Sequence, residues 1–220
     1  MTQTVRRPDA DLKHDVVEEI RWIPSINSTH IGVAVNDGAV TLSGEVDSYP
    51  EMLLAGSAAQ RVHGVTALAQ EITVRSTGGG QDTGIAREAG EAIQRAVDVP
   101  DSVKVAVHHH VVTLTGDVAW QYEREAAERA VRYGKGIRTV VNSIRIRPGA
   151  VAIGAKEAIG AALVRNAQLE GKHITVTTDT DGIVTLDGTV RSWAERRQAE
   201  HAAFAAPGVT GVANHLQIGH

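Results

Sequence analysis

The amino-acid sequence predicts an α+β fold of three tandem α-β-β-α-β domains, each a three-stranded mixed sheet with two helices on one face. The first observation is a phrase that recurs with its glycine in the same place: AVTLSGEV at 39–46, VVTLTGDV at 111–118 and IVTLDGTV at 183–190. The second is that the matches continue along the chain at the same interval, which indicates internal repeats. The third is that helical and alternating apolar patterns follow one another in the same order in each copy.

The three copies set the domain limits at residues 10–76, 82–147 and 151–219. The first join, STGGGQDTG at 76–84, has the composition of a flexible polar linker, whereas the second join, around Pro148, is much shorter. We therefore expect repeats 2 and 3 to be more rigidly related than repeats 1 and 2. Units of about 65 residues are marginally stable alone, so contacts between the repeats are expected to add stability.

Each repeat is predicted to begin with an amphipathic helix and a β-hairpin. In repeat 1, apolar residues recur at helical spacing from Leu12 to Ile23, after Asp9 or Asp11 as the N-cap. Apolar residues then alternate on both sides of Asn-Asp-Gly at 36–38, a sequence that is typical of a hairpin turn.

The glycine of the recurring phrase lies at an inward position of the second strand, because Val40, Leu42 and Val46 share its parity. A glycine inside a strand often marks the close approach of another backbone. We expect the approaching element to be the helix that follows, so that a larger side chain would force this helix off the sheet. The three equivalent glycines are Gly44, Gly116 and Gly188.

The second helix of repeats 1 and 3 is predicted to begin with a capping box, Ser48 with Glu51 and Ser192 with Glu195. Repeat 2 has Trp120 in place of the serine and keeps only the glutamate. We expect each second helix to end at a glycine in the C′ position, before a third strand that runs parallel to the second. These glycines are Gly64, Gly136 and Gly208.

The third strand carries an amide where its parity is otherwise apolar, at Gln70, Asn142 and Asn214. A recurring amide is either a ligand group or a side chain that bonds local backbone at a bulge or turn, and we favour the second interpretation. The outer face of the second strand is small and polar, so it is either solvated or an interface. Its residues are Thr41, Ser43, Glu45, Thr113, Thr115, Asp117, Thr185, Asp187 and Thr189.

The pattern V-T-L-x-G-x-V, then a helix with its glutamate, then G-V/I-x-x-V/A-x-N/Q-x-I/L-x-V/I, resembles the BON domain. All three copies carry this pattern, over about nine-tenths of the chain. The resemblance implies a structural module without catalytic residues, a role in osmotic and envelope stress, and for many members a periplasmic location. It also implies three kinds of partner, namely anionic phospholipid, potassium in a cytoplasmic member, and other proteins that the domain protects.

The composition is that of a soluble globular protein, with 42% apolar and 22% charged residues. The net charge of −4 disfavours sequence-independent binding to nucleic acid or anionic lipid. The absence of cysteine excludes disulfides, a thiol nucleophile and cysteine zinc sites. No apolar segment follows the arginines near the start, so no secretory signal is visible and we expect a cytoplasmic location; removal of a signal would instead imply the periplasm.

Three motifs suggest chemistry, and we interpret none of them as a site. His108–His110 replaces a hairpin tip, where neighbouring side chains alternate in direction and three imidazoles do not readily face one metal ion. Asp179–Gly182 resembles the start of a calcium loop but lacks its final glutamate, so we predict a turn. Residues 149–157 nearly match a P-loop, but no Ser or Thr follows the lysine. We expect no catalytic residue, no cofactor and no metal.

The middle repeat is the most basic, with 10 basic and 9 acidic residues between 78 and 148. Aromatic and basic residues on its second helix are suited to a lipid headgroup layer, although the interleaved glutamates are also typical of a solvated face. The possible lipid or partner contacts are Trp120, Tyr122, Arg124, Arg129, Arg132 and Lys135. Trp22, Tyr49 and Trp193 are interpreted as packing residues at helix ends.

These observations predict a non-enzymatic stress-adaptation protein that binds a ligand or a surface, either a monovalent cation such as potassium or an anionic phospholipid. The alternative is a protein-interaction scaffold or a chaperone-like protector of other proteins. An enzyme would need a cleft with perturbed titratable groups, and no motif in the sequence indicates one.

Overall fold

The structure is a computed structural model that describes residues 7–75, 81–147, 159, 161, 174–206 and 208–219. Each repeat contains one mixed sheet, and the described elements follow the predicted order. The predicted α+β class is therefore confirmed.

The helices and strands have the following bounds. Repeat 1 contains α1 (Asp9–Arg21), β1 (Ile31–Asn36), β2 (Ala39–Val46), α2 (Tyr49–Arg61) and β3 (Ala67–Val74), with a short 3-10 helix (Ser28–His30) before β1. Repeat 2 contains α3 (Asp82–Arg95), β4 (Lys104–His108), β5 (Val111–Val118), α4 (Gln121–Val131) and β6 (Thr139–Ile146). Repeat 3 contains β7 (Ile174–Thr178), β8 (Ile183–Val190), α5 (Trp193–Phe204), β9 (Gly211–Asn214) and β10 (Gln217–Ile218). The P-loop-like segment 149–157 lies outside the described residues.

The second strand is central in every sheet. β2 pairs antiparallel with β1 and parallel with β3, and β5 has the same two kinds of neighbour in repeat 2. In repeat 3, β8 pairs antiparallel with β7 and parallel with β9 and β10, which continue one another across a break at His215 and Leu216. Because parallel neighbours need a crossover, the second helix of each repeat is the crossover connection.

The core of repeat 1 joins its first helix to its second strand. Leu12 and Val16 of α1 form one apolar cluster with Val40 and Leu42 of β2, and each is at most 1% exposed. Burial of one such side chain stabilises a fold by about 1.5–3 kcal/mol. The same strand positions are fully buried in the other repeats, at Val112, Leu114, Val184 and Leu186.

The glycine of the recurring phrase does not make room for the following helix, so that expectation is wrong. Gly44 has a φ of +114°, and a Cβ on it would overlap the carbonyl oxygen of His30, just before β1. Gly116 has a φ of +134° and would overlap the carbonyl oxygen of Ser102 in the same way. Gly44 is also exposed rather than buried. The glycine is required because a left-handed backbone and a close backbone approach coincide there.

The first helix is not capped by Asp9 or Asp11, contrary to expectation. Pro8 is the N-cap of α1, and no side chain caps this end. The carboxylate of Asp9 instead accepts hydrogen bonds from the backbone N–H groups of Asp37 (2.8 Å) and Gly38 (3.1 Å) at the tip of the hairpin. Asp9 therefore fixes the hairpin turn against the first helix.

The capping of the second helices is as predicted. Oγ of Ser48 accepts a hydrogen bond from the N–H of Glu51 (3.4 Å), and Ser192 makes the same bond in repeat 3 (3.2 Å). In repeat 2 the carboxylate of Glu123 accepts from the N–H of Trp120 (3.0 Å), so this end is capped without a serine.

The glycines expected at the C′ positions of these helices lie farther along the chain. The helices end at Arg61, Val131 and Phe204, three to five residues before the glycine. The glycines shape the turn into the third strand instead, because all have positive φ: Gly64 (+97°), Gly136 (+78°) and Gly208 (+82°).

The recurring amide of the third strand fastens the second helix to the sheet. Nδ2 of Asn142 donates to the carbonyl of Arg124 in α4 (3.0 Å), and its Oδ1 accepts from the N–H of Ile144 (3.3 Å). Asn214 makes the equivalent pair of bonds in repeat 3, and Nε2 of Gln70 donates to the backbone of α2 (2.6 Å). These bonds are those of a structural side chain, the interpretation that we favoured over a ligand group.

Among the described residues, repeats 1 and 2 share one apolar cluster, and those of repeat 3 form a second cluster. The expectation that repeats 2 and 3 are more rigidly related than repeats 1 and 2 stays a prediction, because the join at 148–150 and most of 151–173 lie outside the described residues. Trp193 of repeat 3 nevertheless packs against the cluster of repeats 1 and 2. Contacts between repeats thus add to the small core of each unit.

We predict that Gly116→Val destabilises the protein by at least about 2 kcal/mol, because valine meets both a strained φ and the Ser102 carbonyl. Urea unfolding measures the change. Gly90→Ala is the matched control, since nothing lies within 4 Å of a Cβ at this helical position. Alanine there should be neutral or stabilising by up to about 1 kcal/mol. Equal stability of Gly116→Val and the unsubstituted protein would contradict the conclusion that this position requires glycine.

Candidate interaction site at the repeat junctions

The structure divides the residues that we predicted as a lipid or partner contact between two faces of α4. Arg124, Glu128 and Arg132 follow one another at intervals of four residues and lie on one face of this helix. Tyr122, Glu125 and Arg129 are spaced by three and four residues and lie on another. The six predicted residues therefore do not form a single surface.

Arg124 and Arg132 are engaged within repeat 2. Nη2 of Arg124 donates to the carbonyl of Asn142 (3.3 Å), and the Nε atom of Arg124 is buried. Nη2 of Arg132 lies 3.1 Å from Oε1 of Glu128, and both side chains are 29% exposed. The Arg124 bond holds α4 against the sheet, whereas the Arg132 pair lies within α4, and both guanidinium groups have little surface left for a partner.

The remaining predicted residues are accessible. Trp120 is 39% exposed, Tyr122 is 53% exposed, and Lys135 is exposed beyond the end of α4. Arg129 forms an exposed ion pair with Glu125 at 3.6 Å, a kind of pair that contributes little to stability. Trp120 and Tyr122 are thus the large apolar groups that this end of repeat 2 presents to solvent.

A groove of about 240 Å³ lies between this end of α4 and the carboxyl end of α5. Its lining is mainly apolar and includes the aromatic residues Trp120 and Tyr122 of repeat 2 and Phe204 of repeat 3. The complete lining is Trp120, Gln121, Tyr122, Glu125, His201, Phe204 and Ala205. The groove joins repeats 2 and 3.

Gln121 lies in this groove with one polar atom unsatisfied. Its Nε2 donates to Oε1 of Glu125 (3.1 Å), but its Oε1 is buried and has no hydrogen-bond partner. A buried acceptor without a donor costs free energy. A donor that met this oxygen after a small movement of the Gln121 side chain would therefore be bound favourably.

The equivalent position of repeat 1 is Tyr49, at the start of α2, and it packs against repeat 2. Tyr49 is 6% exposed and belongs to the cluster that the two repeats share. Its burial raises the pKa of the phenol, and the nearby carboxylate of Glu128 in α4 raises it further. A hydrogen bond to the backbone of Val140 in β6 and the charge of Arg132 act in the opposite direction.

The equivalent position of repeat 3 is Trp193, at the start of α5, and it packs against repeat 1. The ring contacts the shared cluster of repeats 1 and 2, and α5 is in contact with α2. Its Nε1 atom is buried, and the guanidinium of Arg196 lies 5.3 Å from the ring centre. Each second helix thus places its first residue on the next repeat, and the three junctions close a ring.

The prediction that aromatic residues pack at helix ends is right for Tyr49 and Trp193 and wrong for Trp22. Trp22 is the C-cap of α1 and is 86% exposed. The sequence repeat marks positions 49, 121 and 193 as equivalent, but it does not show that these positions face a neighbouring repeat.

The histidine run forms a hairpin tip, as predicted. His109 and His110 have positive φ, and their N–H groups donate to the carboxylate of Asp82 (2.8 and 3.0 Å). Nδ1 of His110 lies 3.0 Å from the carbonyl of Gly136, and the rings of His108 and His109 meet edge to face. The residues that the structure describes contain no group of three or more His, Asp or Glu side chains arranged for a metal ion.

The sequence analysis did not identify the role of Asp82, which repeats that of Asp9 in repeat 1. Hydrogen bonding from the N–H of His110 lowers the pKa of the Asp82 carboxyl, and the bond from His109 adds to this effect. A carboxylate 27 to 29 residues before a hairpin turn is the only signal in the sequence, and such a spacing is easily met by chance.

Asp179 is likewise a turn residue. Its Oδ1 accepts from the N–H groups of Asp181 (3.0 Å) and Ile183 (2.8 Å), and Gly182 has a φ of +80°. The calcium-like sequence is therefore a hairpin turn, as predicted.

Asp117 is the remaining carboxyl group with a shifted pKa among the described residues. It lies on the small polar face of the repeat 2 sheet. Hydrogen bonding to Arg147 lowers this pKa most, and Arg145 acts in the same direction. Both arginines are exposed, and they pair with Asp117 across neighbouring strands.

In a comparison with known families, the same domain family matches each of the three repeats. The family model described as BON domain matches residues 8–76, 81–148 and 154–220. The chain belongs to the BON domain family. Within the described ranges, each of its helices is too short or too polar to span a lipid bilayer.

The chain is also similar to Osmotically-inducible protein Y of Escherichia coli (strain K12). It is 33% identical over 123 residues, which cover 52% of this chain and 61% of that protein. The match therefore spans less than two-thirds of the length of this relative.

Two solved structures of CdsD, described as a structural protein of the type III secretion system of Chlamydia trachomatis, also align with the chain. They are 13% identical to it, and their TM-scores are 0.27 and 0.26. The alignments cover 96% and 94% of this chain and 98% and 91% of theirs. TM-scores this low support no conclusion about domain arrangement or function.

We predict that Asp82→Asn lowers the melting temperature at pH 7, because the charged acceptor of the hairpin tip is lost. The folded-state pKa is depressed, so the carboxylate stabilises the fold above its ordinary pKa of 3.8 and loses this effect as the pH falls through the folded-state value. The difference between variant and unsubstituted protein should therefore shrink below about pH 4 in thermal melts. Asp98→Asn, at an exposed residue, is the control. An equal deficit at pH 7 and pH 3 would rule out the charge as the cause.

Proposed function

We propose that this BON protein belongs to the osmotic-stress response and acts by binding a protein partner, without catalysis. The domain family and the name of the Escherichia coli relative support the stress assignment. The observation that carries the protein partner is the apolar groove at the junction of repeats 2 and 3, with two exposed aromatic residues at its edge. This is the scaffold or protector function, which the sequence left as the alternative.

The titratable groups favour binding over catalysis. The described groups with a shifted pKa are Tyr49, Asp82 and Asp117, and each shift has a structural cause. Tyr49 is buried in a packed junction, Asp82 caps a hairpin tip, and Asp117 is paired with two arginines. Perturbed groups at a catalytic site would be expected to converge in a cleft, and these three lie in different places.

The groove has the properties of a contact for a protein side chain. Aromatic residues are enriched where binding energy is concentrated, because they bury a large area with little loss of side-chain freedom. Trp120 and Tyr122 supply such groups beside a concave surface that the half-buried Phe204 also lines. A partner that covers them removes apolar surface from water.

Anionic phospholipid is the second candidate, because Arg129 and Tyr122 share an exposed face of α4 and Lys135 lies beyond its end. Aromatic residues beside cations suit a lipid headgroup layer. The face is less basic than the sequence suggested, since Arg124 and Arg132 are engaged within repeat 2 and Glu125 pairs with Arg129. The net charge of −4 also opposes attraction to an anionic surface.

Potassium is the third candidate, through carbonyl oxygens of the hairpin turns. The carbonyls of Gly38, His110 and Gly182 each accept one hydrogen bond from the start of the third strand. The donors are the N–H groups of Thr66 (3.0 Å), Arg138 (2.8 Å) and Thr210 (2.9 Å). These carbonyls therefore have a structural role in each repeat, which argues against a turn that is free to wrap around an ion.

We predict that the protein suppresses aggregation of a heat-unfolded test enzyme and that Trp120→Ser combined with Tyr122→Ser weakens this activity by more than about fivefold. Light scattering measures aggregation. Trp22→Ser is the matched control, because Trp22 is 86% exposed and distant in sequence from the groove. Loss of protection in the control alone, or no protection by the unsubstituted protein, would contradict a protein partner at this groove.

The same proteins are tested by flotation with vesicles of phosphatidylglycerol or phosphatidylcholine. Anionic lipid would become the favoured partner if three results are obtained together. Binding would require phosphatidylglycerol, would decrease with added salt, and would be lost in the double variant Arg129→Glu, Lys135→Glu.

We predict that thermal melts in matched KCl, NaCl and choline chloride coincide, because the turn carbonyls are already hydrogen-bonded within each repeat. A ligand that binds only the folded state raises the melting temperature. A rise in KCl that NaCl does not reproduce would contradict this prediction and would favour potassium as the ligand.

A further inference from the structure

The three junctions between repeats use the same position of the second helix, but the residue at this position is not aromatic in all three. Position 49 holds tyrosine and position 193 holds tryptophan, and both rings pack against the next repeat. Position 121 holds glutamine. At this junction a groove of about 240 Å³ remains.

The surfaces that receive these residues also correspond. Tyr49 lies near Arg132 at the end of α4, and the groove beside Gln121 is lined by Phe204, which occupies the position of Arg132 in repeat 3. The open groove is therefore the counterpart of a site that is occupied by an aromatic ring between repeats 1 and 2. Glutamine is too short and too polar to fill it.

We propose that this groove receives the side chain of a tyrosine or tryptophan from a protein partner, which completes the third junction in the way that Tyr49 and Trp193 complete the other two. The inference rests on the proposed binding of a protein partner and specifies which side chain of the partner enters. Both rings combine a large apolar surface with one O–H or N–H donor.

The polar atom for this donor is Oε1 of Gln121, which becomes accessible when the side chain turns toward the groove. This oxygen is buried and has no partner, while the Nε2 atom of the same amide is fixed by Glu125 at 3.1 Å. The rings of Trp120, Tyr122 and Phe204 provide the apolar walls. A phenylalanine or leucine side chain would contact the apolar walls but would leave the Gln121 oxygen without a donor. The groove should therefore bind these two side chains more weakly.

Four blocked amino-acid amides serve as probes: N-acetyl-tyrosinamide, N-acetyl-tryptophanamide, N-acetyl-phenylalaninamide and N-acetyl-leucinamide. Titrations followed by two-dimensional NMR on the full chain should show the first two binding with a Kd on the order of 1 mM. The shifted resonances should be those of residues 120–125 and 201–205. The phenylalanine amide should bind roughly fivefold more weakly, since it lacks the donor.

Two substitutions at Gln121 separate the shape of the groove from its hydrogen bond. Gln121→Trp introduces the residue of the repeat 3 junction, so it should fill the groove, abolish probe binding and raise the melting temperature. Gln121→Leu keeps the groove open but removes the acceptor, so tyrosine and phenylalanine amides should bind equally. Gln94→Leu, at an exposed position of α3, is the matched control and should leave binding unchanged.

The inference is overturned if no probe binds, if Gln121→Trp folds and still binds the probes, or if the unsubstituted protein binds tyrosine and phenylalanine amides equally. Gln121→Leu keeps the test decisive if Gln121→Trp does not fold. Protection of the test enzyme without binding of the probes would leave the proposed function standing and sink this inference. Binding of the probes without protection of the test enzyme would support this inference and contradict the proposed function.

Discussion

The pairing of the second strand on both of its edges is the interaction on which the rest of each repeat depends. β2 has an antiparallel neighbour on one side and a parallel neighbour on the other, and its alternating aliphatic side chains are almost completely buried. The parallel pairing requires a crossover, which fixes the second helix against the sheet. The antiparallel pairing requires a tight hairpin, whose tip is held by a carboxylate of the first helix in repeats 1 and 2. The start of that second helix is where each repeat meets its neighbour.

The elements of the fold could be predicted from the sequence because they depend on local periodicity and on a pattern repeated three times. The alternation around Leu42 and the capping box at Ser48 are local signals, and both are present in the structure. The role of Gly44 could not be predicted, since its positive φ and the approach of the His30 carbonyl depend on how the chain enters the sheet. The repeat showed that the glycine is required but not which backbone it admits.

The candidate site was only partly predictable, for a different physical reason. The sequence placed aromatic and basic residues on one helix but did not show which helix face meets the sheet. The structure turns Arg124 toward Asn142 and leaves Tyr122 exposed, so the cluster is divided. Gln121 was not noticed because a glutamine between two aromatic residues has no signal of its own. Its meaning comes from comparison with Tyr49 and Trp193 in their three-dimensional setting.

The ring of junctions has a consequence for how such a protein can be assembled. Each repeat contributes one face at the start of its second helix and receives another at the end of that helix, so the contacts run head to tail and close after three units. Head-to-tail interfaces form a closed ring only when the rotation between units matches the number of units. Fusion of the three units into one chain removes the requirement, which identical subunits of a closed ring would have, that every junction be the same. That freedom allows one junction to keep an opening while the other two hold the ring together.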